Sequence, residues 1–145
     1  MSALPRFEFV EGAVADLSFV ARGATPEAAF AAAAEALLAA TVEDPASVRE
    51  DVTRTLRLEE PDLELLLLRF LNELVWLRDA EGLLLHPRVI RLARDGRARL
   101  AAELAGEPIE RGRHALASDV KAATAHGLAL QPTQRGWEAR VTLDV

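Results

Sequence analysis

Apolar and polar residues alternate in two short runs near the start of the chain, Phe7/Phe9 and then Leu17/Phe19/Ala21. A period of two places such residues on one face of a strand, so Phe7–Val10 and Asp16–Arg22 read as strands, interrupted by the small-residue stretch Glu11-Gly12-Ala13-Val14-Ala15. Gly23-Ala24 breaks the pattern and Thr25-Pro26-Glu27 opens a helix. The threonine hydroxyl caps the first free amides, proline fits the first helical position, and glutamate complements the positive end of the dipole. The helix runs to about Ala40, with Phe30, Ala34, Leu37 and Leu38 on one side and many alanines that allow close packing on a sheet.

After the loop Glu43-Asp44-Pro45, residues Val48, Val52, Leu56 and Leu58 alternate with polar ones and predict a third strand around Glu50–Leu58. Pro61-Asp62 then starts a second helix, to about Arg78. At 100° per residue, Leu63, Leu66, Leu67, Phe70, Leu71, Leu74 and Leu77 share one broad face, and Asp62, Arg69, Asn72 and Glu73 the other. Leu65 and Trp76 fall with Leu68 and Asn72 on the polar side, where either strands or loops cover them or they form an exposed patch for a protein partner. Leu83–Leu85 and Val89–Ala93 are again strand-like, and Asp95-Gly96 predicts a hairpin into the alternating Ala98/Leu100/Ala102/Leu104. Gly106-Glu107-Pro108 ends the hairpin and Ile109–Ala117 reads as an irregular polar connection. Val120–His126 and Trp137–Leu143 are the last strands, joined by a turn at Gln131–Gly136. No repeat or linker divides residues 1–145. The expected fold is one α+β domain, a two-layer sandwich of two helices packed on a mostly antiparallel sheet.

Composition narrows the chemistry. Of 145 residues, 50% are apolar and 28% charged, which excludes a disordered chain. The absence of cysteine excludes disulfides, thiolate metal sites and a cysteine nucleophile. A net charge of −6 argues against stable direct nucleic-acid binding. The run "LELLLLRFLNELVWL" is too short and, with Glu64, Arg69, Asn72 and Glu73, too polar to span a bilayer. With no signal-like start, a cytoplasmic protein without a membrane partner is expected.

Glycine-rich phosphate loops, G-x-S-x-G elbows and H-E-x-x-H pairs are all missing, so no catalytic residue is assigned. His86, His114 and His126 lie on different elements and each reads as structural rather than as a ligand. Asp144 is more informative, because its side chain sits one residue from the terminal carboxylate of Val145. Two negative groups in so small a volume repel unless a cation or an arginine joins them. A third carboxylate from a neighbouring strand end would complete a hard-oxygen site suited to Ca²⁺ or Mg²⁺. The ordinary alternative is a solvated acidic corner, or one paired with Arg140 or Lys121.

Several segments resemble the archease family, small acidic proteins that assist the GTP-dependent RtcB-type RNA ligase in tRNA splicing. "FEFVEGAVADLSFVARGATPEAAFAAAAEAL" is similar to the family's opening strand and first helix, and "DLELLLLRFLNELVWLRDAEGLLL" to its second helix and following strand. "GEPIERGRHALASDVKAATAHGLAL" resembles its Gly-Glu…His…Val-Lys-Ala-x-Thr-x-His-Gly segment, and "GWEARVTLDV" its terminal strand. The resemblance implies a non-enzymatic cofactor that stimulates ligase guanylylation and supports multiple turnover. It also implies a divalent metal ion held by Asp16, Asp144 and the terminal carboxylate of Val145, so the opening and closing strands must be neighbours. The family's Asp-His-Thr before Ala-Asp is replaced here by Gly12-Ala13-Val14, in a segment one residue longer after Val10, and the tyrosine before its late histidine is replaced by Ala125. Lys121 and His126 match a family segment, but residues five apart on a regular strand point to opposite faces, and only a bulge lets both line one site. Lys121, His126, His114 and Trp76 are the possible partner contacts. Two other functions remain open, a small metal-dependent hydrolase using Asp16 and Asp144, and a binding module that has lost ligase activation.

Overall fold

Thr25 and Asp62 start the two helices as their spacing predicts. In this computed structural model, which describes residues 6–11 and 16–145, the Thr25 hydroxyl accepts from the Ala28 amide at 3.1 Å, and Asp62 Oδ1 accepts from the Leu65 amide at 2.9 Å. Helix α1 then spans Pro26–Thr41 and α2 spans Leu63–Glu81. The strands are β1 (Phe7–Val10), β2 (Asp16–Gly23), β3 (Val52–Glu60), β4 (Leu83–Asp95), β5 (Arg97–Pro108), β6 (Ala122–Thr133) and β7 (Gly136–Asp144). No helix among the described residues is long and apolar enough to cross a membrane.

The α+β class and the antiparallel pairing stand as expected, but the strands divide into two sheets instead of one. β1-β2-β7-β6 form a four-stranded sheet and β3-β5-β4 a three-stranded one. Both helices touch strands of both sheets, so the expected packing of two helices on antiparallel strands holds with a sheet on each side of the helical layer. The reason lies in α1. Its alanines make it apolar around nearly the whole circumference, and it is buried except along a stripe through Glu27, Ala28, Ala31, Glu35 and Ala39. One sheet covers only one side of such a helix. The predicted apolar face of α2 is buried at Leu66, Leu67, Phe70, Leu71, Leu74 and Leu77, and Phe70 stacks on Phe30 of α1 at 6.0 Å between ring centroids.

β5 runs past the expected stop at Gly106 and pairs as far as Pro108 with Leu83 of β4. Gly106 allows this because β4 crosses directly over it. A β-carbon there would collide with the carbonyl oxygen of Leu84 and stand 2.7 Å from its carbonyl carbon and 2.9 Å from Leu85 Cα. All three are backbone atoms that no rotamer change can move. Gly106→Ala is therefore expected to lower stability by about 2–3 kcal/mol, read as a lower urea midpoint at unchanged slope.

Candidate functional site

β2 and β7 are antiparallel neighbours, and their register sets Asp16 directly opposite Asp144. Leu17, Phe19 and Ala21 of β2, with Ala139, Val141 and Leu143 of β7, pack into the core. Alternation therefore turns Asp16 and Asp144 to the outer face, with Cβ atoms about 4.5–5.5 Å apart. Ala122 of β6 flanks Asp144 on the other side and adds only a methyl group. The next row is made of hydroxyls, with Ser18 Oγ 3.0 Å from Thr142 Oγ1 and Thr124 Oγ1 donating to the Thr142 carbonyl at 3.1 Å. The Lys121 amide donates to the Asp144 carbonyl at 2.8 Å, and Val145 packs against the core, which fixes the end of the strand.

Both carboxylates are half-buried, and among the described residues neither forms an ion pair, with Arg140, Lys121 or any other cation. Like charges directly opposite each other on a sheet destabilise it. The donor set is all hard oxygen, the type that suits Ca²⁺ or Mg²⁺. Among the described residues no group of three or more His, Cys, Asp or Glu side chains is placed to hold a metal. The structure brings together two of the three expected donors, Asp16 and Asp144. Gly12-Ala13-Val14, where the family motif is replaced, lie outside the described residues.

β6 carries a bulge after Thr124, the condition under which Lys121 and His126 can both line one site. Thr124 pairs with Thr142 but the next partners are Ala129 and Arg140, so five steps on β6 face two on β7. Gly127 turns the bulge with φ +67°, a left-handed conformation that suits glycine, and a β-carbon there would stand 4.0 Å from the Thr142 hydroxyl oxygen. The bulge thus lies beside the hydroxyl row, one row from the carboxylates. His126 is exposed within it and forms no hydrogen bond with the described residues. Lys121 is exposed just before the strand.

α2 lies along the free edge of β6. The Asn72 side chain satisfies both backbone groups of Ala123, at 3.0 and 2.8 Å, and Glu64 accepts from the Leu130 amide at 3.1 Å. Asn72 is therefore a surrogate strand partner. Leu65 and Trp76, on the same side of α2, remain 41% and 56% exposed, so the described strands and loops leave much of both side chains open.

His114 requires a correction. Offered as a possible partner contact, it is only 2% exposed and sits against Glu107, itself 3% exposed. The Glu110 amide donates to His114 Nδ1 at 2.9 Å, which leaves the ring proton on Nε2 to donate to Glu107 at 3.1 Å. Glu107 also accepts from the Arg49 amide at 2.6 Å and pairs with Arg113. Burial alone would push the Glu107 carboxyl up, but the hydrogen bonds from Arg49, Arg113 and His114 together hold it at about 2. Arg113 was noted beside His114 as a loop residue with a positioning role, whereas Glu107 was given no role by sequence reasoning. The Gly-Glu…His spacing was the available signal, and it marked a buried clamp that ties β5 to the loop before Lys121.

His86 is a second clamp. Its Nδ1 lies 3.1 Å from both Glu35 carboxylate oxygens on α1, and its Nε2 lies 3.0 Å from the Pro45 carbonyl oxygen. Both partners are acceptors, so only the imidazolium satisfies both. The Glu35 hydrogen bond raises the pKa against the opposing effect of burial, aided by the charges of Glu35 and Glu50 and the Pro45 carbonyl. A pKa raised above its ordinary 6.5 contributes stability that is full below that value and lost as pH rises through the folded-state pKa. The wild type is therefore expected to melt above His86→Gln at pH 6, with the gap closing as thermal scans are carried to alkaline pH.

Two helices between antiparallel sheets, with paired carboxylates facing outward at the last strand's end, define a small α+β protein with a candidate cation-binding corner. Residues 7–145 match the Archease protein family (MTH1598/TM1083), and the chain belongs to that family. Protein archease of Methanosarcina mazei is 31% identical over 142 residues, covering 97% of this chain and 96% of that protein. Protein archease of Thermococcus gammatolerans is 35% identical over 133 residues, covering 90% and 93%. The solution structure of Methanobacterium thermoautotrophicum protein 1598 superposes with a TM-score of 0.84 at 30% identity, covering 97% of this chain and 99% of that one. The crystal structure of an archease from Thermotoga maritima, described as a possible chaperone, superposes at 0.58 over 92% and 93% of the two chains, and at 19% identity it shares the fold.

Proposed function

We propose that the protein is a cytoplasmic, non-enzymatic activator of a GTP-dependent RtcB-type RNA ligase, promoting ligase guanylylation and multiple turnover. The observation that carries this reading is the Asp16–Asp144 pair, two unneutralised carboxylates aimed outward from neighbouring strands. Together with the Val145 carboxylate they would hold a divalent cation of the Ca²⁺ or Mg²⁺ class, which supplies a point of attraction for phosphate oxygens. The Ser18 and Thr142 hydroxyls stiffen the strands beneath the pair, and Val145 anchors the end of β7 in the core. The pair docks at the mouth of the ligase active site, flanked by Lys121, His126 and the exposed Trp76. The acidic corner serves there without itself gripping the RNA.

The test is RNA joining by the cognate ligase at substrate excess, with and without this protein. Continued turnover past one equivalent only when the protein is present, and its loss when Asp16→Asn/Asp144→Asn replaces the wild type at the metal concentration the ligase itself requires, supports the proposal. Phosphoester hydrolysis by the isolated protein would favour a metal-dependent hydrolase instead. Ligase binding without any change in turnover would favour a module that has lost activation.

A further inference from the structure

On the three-stranded sheet, Ala101 of β5 pairs with Arg57 of β3 on one side and Arg91 of β4 on the other. The alternation that buries Leu100, Ala102 and Leu104 turns this row to the outer face, where both arginines are exposed. Two strand spacings separate them, about 9–10 Å, with only a methyl group between. In the next row Arg99 pairs with Glu59 and Ala93. The result is a concavity of about 460 Å³, walled by Arg57, Arg91, Arg99 and Glu59 and floored by Ala101 and Ala93.

Arg99 is neutralised by Glu59 and Asp95, each at 2.7 Å. Arg57 and Arg91 make no ion pair with any described residue, although the chain carries 23 acidic residues against 17 lysines and arginines. Glu103, one row along, pairs with neither. Two exposed guanidinium groups without an ion-pair partner among the described residues, carried on the strands that flank a small residue, are donors that one tetrahedral oxyanion can bridge. No aromatic residue lines the concavity, so nothing there stacks on a base. Recognition is of the phosphate.

We infer that Arg57 and Arg91 form a binding site for a phosphate group, carried by a free polyphosphate chain or by a nucleic-acid backbone. The site lies on the opposite side of the helical layer from Asp16 and Asp144 and is independent of the ligase reading. The experiment is titration of the full chain in metal-free buffer at low ionic strength, in parallel, with inorganic tripolyphosphate and with a single-stranded RNA of mixed sequence, using the wild type, Arg57→Ala, Arg91→Ala and, as a control at an exposed arginine of the β6–β7 turn, Arg135→Ala. Saturable binding that weakens about tenfold in Arg57→Ala and in Arg91→Ala, and is unchanged in Arg135→Ala, is the expected result. Saturation by tripolyphosphate alone identifies a free ligand, and saturation by RNA with a steep salt dependence identifies a backbone. Absence of saturable binding in both arms, or binding by Arg57→Ala and Arg91→Ala equal to that of the wild type, overturns the inference. Both substitutions are on an exposed face, and a retained melting temperature shows that the variants remain folded.

Discussion

Replacing Asp144 by alanine is expected to reduce ligase stimulation to the unstimulated rate and to abolish calcium binding, while the protein stays folded. Asp144 is only half-buried and its side chain makes no ion pair with the described residues, so its removal breaks no stabilising contact seen here. It also ends a like-charge confrontation with Asp16 that costs the sheet a few tenths of a kcal/mol up to about 1 kcal/mol. In metal-free buffer the melting temperature should therefore hold or rise by roughly 2–4 °C. The same result is expected for Asp16→Ala. Calcium titration by calorimetry and a thermal scan read the two halves of the prediction separately.

Replacing Glu107 should do the reverse, lowering stability and leaving the carboxylate corner chemically intact. Glu107→Ala removes the acceptor for the Arg49 amide, Arg113 and the Nε2 proton of buried His114. Breaking a buried pair by removing one partner costs about 3–5 kcal/mol. The lower figure, about 3 kcal/mol, is expected here because the Arg113 side chain keeps 26% of its surface in water. At this chain length that corresponds to a fall of roughly 10 °C in melting temperature. The pH dependence has a definite sign. A carboxyl held at about 2 against an ordinary 4.5 contributes stability that is complete above 4.5 and lost as pH falls toward 2. Acid unfolding of the wild type should therefore be steeper between pH 4.5 and 2 than that of Glu107→Ala.

Local features of the fold were legible in the sequence. Thr25 and Asp62 cap where their spacing placed them, Asp95-Gly96 turns the β4–β5 hairpin, and the α2 wheel names the buried leucines. The division into two sheets was not legible, because a period of two shows which residues face inward and not which strands become neighbours. The composition of α1 was the missed clue, since a helix of alanines with almost no polar face needs cover on both sides. Asp16 and Asp144 meet as required, because residues on adjacent antiparallel strands share a face when the register opposes them. The burial of His114 escaped notice because its partner, Glu107, belongs to a strand expected to end before it. Leu65 and Trp76 could not be settled from α2 alone, since a wheel defines a face and not its neighbours.

The central claim, that the paired carboxylates make this protein a ligase activator, is tested most directly by the initial rate of GTP-dependent guanylylation of the cognate ligase. It should be measured with no added protein, with the wild type, and with the Asp16→Asn/Asp144→Asn double variant, which preserves shape and removes both charges. The account predicts acceleration by the wild type and none by the double variant at equal thermal stability. Equal acceleration by both proteins would contradict it.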